Sequence, residues 1–292
     1  MREYLIDFFD SFEYDRTDAE YLLSVHDRIT DRADTNAVWR EALNIYSSNM
    51  NCDFDLIIAL AQDVAQRLDI HRYTTELLAF ICLSKRLREI YIERGIDLTI
   101  FHESMLDLKY KLDECKVVKG IVGSFVAFWF NRFFNMERFA LGRLQFEVDR
   151  FGQHYERDGH ILTPESKAIN IHIPRTLTHL TPESCDESFR MAKEFFAADV
   201  SSGECAFICH SWILYPGNKQ ILLESTNVYK FMSRFDIFNS ADDPTLEDLW
   251  RIFDTDEKNP DLLPDNTSMR RAYIYHLKKG GVIGWGHGVF FL

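Results

Sequence analysis

Apolar residues recur every three to four positions along the first part of the chain. Val38, Ala42 and Ile45 share one helical face, and Leu108 and Leu112 share another. This spacing is typical of amphipathic helices that bury one side. At ordinary helix lengths, the first part of the chain is predicted to form a bundle of about six or seven helices.

Near its midpoint the chain changes to a period of two. Leu144, Phe146 and Val148 alternate with polar residues, which indicates a strand with one polar face. The stretch "AINIHIP" repeats this alternation and places His172 opposite its isoleucines. Pro174 has no N–H to donate, so it ends this second strand.

A helix with clear start signals comes next. Thr181 is its predicted N-cap, Pro182 occupies the first helical position, and Glu183 lies in the first turn. The predicted buried stripe of this helix comprises Cys185, Phe189, Ala192 and Phe196.

Six further elements are predicted after this helix. They are a central strand at "AFICHSWILYP", a short helix at "NKQILLES", a strand at "NVYKFMSRFDIF", helices at "TLEDLWRIF" and "SMRRAYIYHLKKGG", and a strand at "VIGWGHGVFFL". The predicted order from residue 141 onward is therefore β-β-α-β-α-β-α-α-β.

Prolines and glycines separate the two parts of the chain. All seven prolines lie at or after Pro164, and only three of the thirteen glycines precede residue 140. Such a shift in composition marks a domain boundary. We predict an α+β protein, with an all-helical N-terminal domain at 1–138 and, at 139–292, a domain built on a mixed β-sheet flanked by helices.

Charge, hydropathy and cysteine spacing argue against several classes of protein and partner. The net charge of −13 is spread over both parts, which disfavours nucleic acid and anionic membrane as partners. The most apolar run, "GIVGSFVAFWF" at 120–130, is too short to cross a bilayer and predicts a buried core helix. The six cysteines have no framework spacing, and the N-terminal stretch "MREYLIDFFDSFEYD" lacks the features of a secretory signal. We expect a reduced, cytoplasmic protein.

Five stretches carry a resemblance to a known family. They are "GRLQFE" at 142–147, "IHIP" with "LTPESCDESFRMAKEFF" up to 196, "CHSWIL" at 209–214, "STNVYKFMSRF" at 225–235, and "SMRRAYIYHLKKGG" at 268–281. The chain resembles bacterial acyltransferase-domain proteins, in which a helical N-acyltransferase N-terminal domain precedes a GNAT-like C-terminal domain. The resemblance implies an acyl-CoA-dependent N-acyltransferase with a small-molecule or amine acceptor.

The resemblance also implies where acyl-CoA would bind. In GNAT folds the strand before the longest helix splays from its neighbour, and acyl-CoA lies in the gap with its pyrophosphate on the next loop and helix N-terminus. The matching elements here are "INIHIP", "RTLTHL" and the helix from Pro182. We therefore expect acyl-CoA, with acetyl-CoA as one candidate, as cosubstrate and no permanently bound cofactor. The expected phosphate contacts are Arg175, Thr176, Thr178 and Thr181.

Acyl transfer to an amine requires a base for the ammonium proton and an acid for the leaving thiolate. Polar strand faces supply Glu147 and His172 as candidate bases, and Ser211 and Tyr215 as candidate proton donors. The candidate substrate contacts are Arg143, Gln145, Trp212 and Asn227. In the structural alternative, His172 is a hydrogen-bonded residue beneath a loop, and Arg143, Gln145 and Glu147 form a cross-strand polar ladder.

Two other motifs give weaker evidence for a functional site. Cys209 and His210 are adjacent, but neighbours on a strand point to opposite faces and cannot pair directly. The segment "GGVIGWGHG" follows a helix, the reverse of a phosphate loop, and indicates a bulged or closely packed strand with Trp285 and His287 at a pocket rim. No HExxH motif or zinc-ligand spacing occurs, so no metal is expected.

Three hypotheses about function follow. The leading one is a GNAT-like acyl-CoA-dependent N-acyltransferase whose acidic surface suits a cationic or small amine. The loop "RTLTHLTPE", however, lacks the glycines that let GNAT backbones close on phosphates. The alternative is therefore a non-catalytic GNAT-fold module for ligand binding or protein interaction. The third is hydrolysis at a cysteine or metal centre.

Overall fold

The computed structural model describes residues 1–176, 178–200 and 205–292. The chain divides into two units, Met1–Phe139 and Ala140–Leu292. Both units contain fully buried aromatic side chains, such as Phe80 in the first and Phe207 in the second. Across the described residues, no helix combines the length and the apolar character needed to cross a membrane.

The first unit is helical, as its apolar period predicted. Its helices are α1 (Arg2–Ser11), α2 (Arg16–Asp31), α3 (Ala33–Ser48), α4 (Phe54–Leu68), α5 (Arg72–Glu93), α6 (Leu98–Lys119) and the single-turn α7 (Asn131–Phe134). Helix α5 contributes the most buried residues of these helices, from Thr74 to Tyr91. The prediction of six or seven helices is confirmed.

Aromatic rings form the centre of this first core. Phe80 packs edge-on against Phe134 and Phe130, with ring centroids 5.1 and 5.2 Å apart. The hydroxyl of Tyr46 donates a hydrogen bond to the carbonyl oxygen of Phe134 at 3.0 Å, so its polar end is satisfied inside the core. These aromatics therefore hold the bundle together.

The run at 120–130 is not the buried helix that its apolar character predicted. Helix α6 ends at Gly120, which adopts the left-handed conformation with a φ of 69°. A Cβ added at Gly123 would lie 2.5 Å from the carbonyl carbon of Tyr73, so the loop packs directly on the backbone of α5. Only Ala127–Phe130 forms a turn, of the 3-10 type. Two glycines thus broke a helix that hydrophobicity alone suggested.

The second unit is a mixed sheet with helices, which confirms the predicted α+β class. Its strands are β1 (Arg138–Leu141), where the chain passes between the units, β2 (Leu144–Arg150), β3 (Tyr155–Arg157), β4 (His160–Leu162), β5 (Lys167–His172), β6 (Ala206–Ser211), β7 (Asp236–Asp243) and β8 (Ile283–Phe291). Its helices are α8 (Pro182–Phe195), α9 (Asn218–Ile221), α10 (Asn227–Met232), α11 (Trp250–Phe253) and α12 (Ser268–Lys278).

The large sheet has the strand order β1-β2-β5-β6-β8-β7, and β3 and β4 form a separate two-stranded sheet. Strand β6 lies inside the large sheet, as its apolar sequence predicted. Within the large sheet, β5 and β6 run parallel, whereas β6 pairs antiparallel with β8. The predicted element order lacked the small β3–β4 sheet, because its strands contain only three residues each.

Two local predictions in this unit were wrong. The stretch from 141 to 151 is not one strand, because Gly142, with a φ of 69°, and Arg143 form a two-residue turn between β1 and β2. The segment "NVYKFM" is helix α10 and not a strand, because the hydroxyl of Thr226 caps the N–H of Tyr229 at 3.3 Å. The next strand begins only at Asp236.

Helix α8 covers one face of the sheet. Phe189 on this helix contacts Phe207 of β6 and Phe290 of β8, with ring centroids 5.4 and 4.9 Å apart. Phe146 of β2 packs edge-on against Phe189 on the same face. The four residues of the predicted apolar stripe of α8 are all buried, which confirms the orientation of this helix.

The opposite face is apolar at one end and polar at the other. Ala168, Ala206 and Ile208 are buried there in one cluster with Tyr155 of the β3–β4 hairpin. Further along β2 and β5, the side chains on this face are Gln145, Glu147, Asn170 and His172. We call this side of the sheet, opposite α8, the polar face.

Candidate active site

Strands β5 and β6 separate at their C-terminal ends. Their parallel ladder pairs Ile169 with Phe207 and Asn170 with Ile208. Strand β5 then continues to His172 and β6 to Ser211 without further pairing between these described strands. Parted ends of neighbouring parallel strands leave an open position in the sheet, where a ligand can reach the backbone. We call this opening the strand split.

His172 and Glu147 meet on the polar face at the edge of the strand split. Strands β2 and β5 are antiparallel, with Gln145 opposite His172 and Glu147 opposite Asn170, so His172 lies diagonal to Glu147. The Nε2 atom of His172 is 2.9 Å from Oε1 of Glu147. The Glu147 side chain is 3% exposed and that of His172 is 17% exposed. The two candidate bases thus form one buried carboxylate–imidazole dyad.

An ionised carboxylate at this position selects one imidazole tautomer. Glu147 then accepts a hydrogen bond from Nε2–H of His172, which directs proton acceptance to Nδ1. Asn170 lies beside the same carboxylate, with its Nδ2 atom 3.5 Å from Oε1 of Glu147. Glu147 is therefore placed to orient His172 and to stabilise an imidazolium.

Arg143 braces the loop between β5 and α8. Its guanidinium donates to the carbonyl oxygens of Pro174 at 3.0 Å and Thr178 at 3.1 Å. The backbone N–H of Arg143 donates to the hydroxyl of Ser188 on α8 at 2.8 Å. Arg143 was predicted to contact substrate; that contact stays a prediction, and the contacts described here are with the loop and with α8.

Arg175 is held by Asp254, a residue from the last third of the chain. Its guanidinium forms a two-pronged ion pair with Asp254, with N–O distances of 2.8 and 2.9 Å. Arg270 of α12 binds the same carboxylate. Thr176 and Thr178 turn toward each other, with 2.9 Å between their hydroxyl oxygens. These contacts, together with those of Arg143, fix Arg175, Thr176 and Thr178 in this glycine-free segment.

Thr181 caps α8 as predicted. Its hydroxyl accepts a hydrogen bond from the N–H of Ser184 at 3.2 Å, and Pro182 follows at the first helical position. The N-terminus of this helix lies directly after the braced loop, where its positive dipole end and N–H groups favour an anion.

Removing this cap tests its structural contribution. Thr181→Ala is expected to lower the free energy of unfolding by about 1 kcal/mol, because one N–H of the first turn loses its partner. Thr181→Ser keeps the capping oxygen and should retain most of that stability. Calorimetric melting curves of the three proteins measure the difference, and equal melting temperatures would contradict the assignment.

The structure does not bring Ser211 and Tyr215 to the dyad. The Ser211 hydroxyl accepts from the N–H of Ile213 at 3.2 Å and begins a 3-10 turn. The Tyr215 hydroxyl donates to Asp242 at 2.6 Å. Burial is the largest cause that raises the pKa of Tyr215 to about 12, and this hydrogen bond is the second. A phenol bonded in this way is a poor acid for a thiolate.

Glycines explain where Tyr215 lies. A Cβ added at Gly284 would lie 2.6 Å from the Tyr215 ring, and one at Gly288 would lie 2.8 Å from Cβ of Phe235. These alternate glycines of β8 face the same side as Phe290, which contacts helix α8. Tyr215 therefore packs on the face opposite Glu147. The prediction of a closely packed glycine strand is confirmed.

The remaining predicted substrate contacts lie in different environments. Gln145 is on the polar face next to the dyad and 2% exposed. Trp212 packs against a second apolar cluster that includes Leu249 and Tyr273. Asn227 is the first residue of α10 and half-buried. Of the four substrate predictions, Gln145 adjoins the dyad on the polar face, because it lies opposite His172 in the strand pairing.

Three aromatic side chains, His210, Trp285 and His287, lie across the strand split from the dyad. Trp285 and His287 were predicted to lie at a pocket rim, but His210 was not predicted as a site residue. His210 pairs in register with His287 of β8. The His210 ring centroid is 4.6 Å from Trp285 and 5.8 Å from His287. Burial is the main cause that lowers the pKa of His287 to about 4, and the nearby His210 is the second. His210 is exposed as a residue, but partial loss of solvent around its ring, beside Trp285, lowers its pKa below the usual value. His287 is therefore neutral at pH 7, and His210 favours its neutral form.

The structure argues against chemistry at Cys209. It lies one residue from His210 and so points to the α8 face, where burial raises the pKa of its thiol to about 12. In the three described ranges, no group of three or more His, Cys, Asp or Glu side chains is arranged to hold a metal ion.

A mixed sheet whose parallel strands part beside a helix N-terminus is the arrangement that defines GNAT-like proteins. Residues 139–290 match the model of the GNAT-like C-terminal domain, and residues 3–136 match that of the N-acyltransferase N-terminal domain. The chain belongs to the family of N-acyltransferases with this two-domain organisation. No curated protein sequence matches it significantly.

Solved structures share this fold. One is an acyltransferase in complex with decanoyl-CoA and teicoplanin, 20% identical, with a TM-score of 0.74 over 98% of this chain and 87% of that one. Another is an acyltransferase variant in complex with octanoyl-CoA, also 20% identical, with a TM-score of 0.76 over 99% of this chain and 88% of that one. At this level of identity the likeness establishes the fold.

Proposed function

We propose that the protein transfers an acyl group from acyl-CoA to the amine of a small-molecule acceptor. The observation that carries the proposal is the strand split, bordered by the Glu147–His172 dyad and followed by the N-terminus of α8. Membership in the N-acyltransferase family and the acyl-CoA ligands of the two similar structures support it.

The thioester of acyl-CoA would lie in the strand split. The pantetheine amides can then hydrogen-bond to backbone groups of β5 and β6 beyond the last paired residues of the ladder. The N-terminus of α8, with Thr181 and the loop threonines, would face the phosphates. Arg175 would exchange one of its bonds to Asp254 for a phosphate oxygen, so that side chains replace the missing glycine loop.

His172 would act as the general base. It takes the ammonium proton of the acceptor, and the neutral amine attacks the thioester carbonyl to form the new C–N bond. The C–S bond then breaks, and the proton that the attacking nitrogen loses goes to the departing CoA thiolate. Glu147 is the positioning residue, because its carboxylate fixes the imidazole and balances the positive charge that His172 gains. No permanently bound cofactor is needed for this reaction.

Acyl-CoA binding is the first test. Isothermal calorimetry with acetyl-, octanoyl- and decanoyl-CoA is expected to give saturable binding of at least one of them. A ligand at 100 times its Kd should stabilise the protein by about 2.7 kcal/mol and raise its melting temperature. If none of the three produces heat or a thermal shift, the proposal is wrong, and a module for other ligands is the better interpretation.

A matched pair of arginines tests the phosphate contact. Arg175→Gln should weaken acyl-CoA binding about tenfold, which corresponds to one charge-assisted hydrogen bond. Arg190→Gln is the control, since Arg190 is exposed on α8 and bonded to Glu187 and Glu194. Equal affinities for the two variants would remove Arg175 from the binding site.

A further inference from the structure

We propose that Trp285 and His210 form the acceptor subsite and that this subsite takes a primary amine carrying an aromatic ring. The inference rests on the proposed acyltransferase function and adds the chemical class of its acceptor. It concerns residues on β6 and β8, on the far side of the strand split from the dyad.

Strand register places His210 opposite His172. The last paired residues of the parallel strands are Asn170 and Ile208. His172 and His210 each lie two residues further along, so both point to the polar face on either side of the split. Neighbouring strands are about 4.8 Å apart where they are paired, and they part beyond this point. A molecule held at His210 is therefore within a few ångströms of the thioester site.

The subsite is a row of aromatic rings that ends in solvent. Phe238 lies at the β-bulge between Ile237 and Asn239, and its ring centroid is 4.5 Å from that of His287. The row continues through His210 to Trp285. Phe238, His287 and Trp285 are half-buried, whereas His210 is exposed. The hairpin β3–β4 packs around Phe238 and closes one end, so a ligand would reach the row at His210 and Trp285.

The chemistry of the row suits an aromatic ring and not the ammonium group. The row offers the flat faces of Trp285, His210, His287 and Phe238 to an aromatic ring, and both imidazoles favour the neutral form because their pKa values are lowered. A cation bound over Trp285 would be stabilised as an ammonium ion before reaction, which opposes the loss of its proton to His172.

The test compares primary amines with and without an aromatic ring, of which phenethylamine and cyclohexylethylamine are matched in size. CoA release from the acyl-CoA with the highest affinity is measured with phenethylamine and tryptamine, and with cyclohexylethylamine and n-hexylamine. The aryl amines are expected to have at least tenfold higher kcat/KM. Trp285→Leu should abolish the preference through a higher acceptor KM while leaving the Kd of acyl-CoA unchanged, and Trp285→Phe should restore most of it.

Tyr275→Leu is the matched control, because Tyr275 is an aromatic residue of α12 with 63% of its surface exposed. It should retain the aryl preference. Three results, each obtained with a protein that binds acyl-CoA, would show that the subsite assignment is wrong while the acyltransferase proposal stands. They are equal rates with alkyl and aryl amines, no acylation of any aryl amine, and an unchanged aryl preference in Trp285→Leu. If no acyl-CoA binds, both are wrong.

Discussion

His172→Gln is expected to lower kcat by about 10²- to 10⁴-fold, the usual contribution of a positioned general base. Glutamine keeps a polar side chain of similar length that can still hydrogen-bond to Glu147, but it cannot take up a proton at neutral pH. The Kd of acyl-CoA and the melting temperature should stay close to those of the wild-type protein, because neither depends on proton transfer. Turnover is measured as CoA release with the most reactive amine.

Two comparisons separate a catalytic role from a structural one. His154→Gln changes another histidine that faces a glutamate, Glu156 at 3.6 Å, but at an exposed position, and should leave kcat unchanged. Glu147→Gln should give a smaller loss than His172→Gln, since the base remains but its orientation and charge partner change. A His172→Gln protein that melts earlier yet keeps its turnover per folded molecule would show that the histidine only holds the strands.

Gly286→Ala is expected to destabilise the second unit by about 3 kcal/mol, at the upper end of the usual range for overpacking. A Cβ at this position would overlap the carbonyl oxygen of Leu214 and lie 2.6 Å from its carbonyl carbon. Backbone atoms cannot rotate aside as a side chain can, so the turn that carries Trp212 and Leu214 must move. For a unit of this size the melting temperature should fall by roughly 6 to 12 °C.

Gly280→Ala supplies the matched control for this substitution. A Cβ added at Gly280 would meet open space, but the φ of this residue is 79°, so alanine there costs about 1 kcal/mol of backbone strain alone. Without the clash, Gly286→Ala would be neutral or slightly stabilising, because glycine inside a strand is unfavourable. Calorimetric unfolding should therefore give a much lower melting temperature for Gly286→Ala than for Gly280→Ala. The reverse order would show that the backbone at Leu214 does not restrict position 286.

Local signals explain which parts of the fold the sequence predicted. Thr181 and Pro182 fixed the start of α8, because capping and the missing proline N–H act within one turn. Alternation on neighbouring strands also put Glu147 and His172 on polar faces, and their antiparallel pairing made them partners. Helix α10 was misassigned, since Tyr229 and Phe231 alternate as in a strand while Thr226 caps a helix.

The remaining parts of the site depend on register between distant strands. His210 and Trp285 are far apart in the sequence and meet only because β6 pairs with β8. Tyr215 was predicted to act with the dyad, but the glycines of β8 draw it to the opposite face. No pattern within one segment reports either outcome.

The position of β8 has a consequence for synthesis on the ribosome. This strand lies between β6 and β7, which both precede it in the chain. Until residues 283–291 emerge from the exit tunnel, β6 and β7 each present an unpaired edge to chaperones and to other nascent chains. The helical unit can fold while the second half is still being translated, whereas His210 gains its aromatic neighbours Trp285 and His287 only after β8 has left the tunnel.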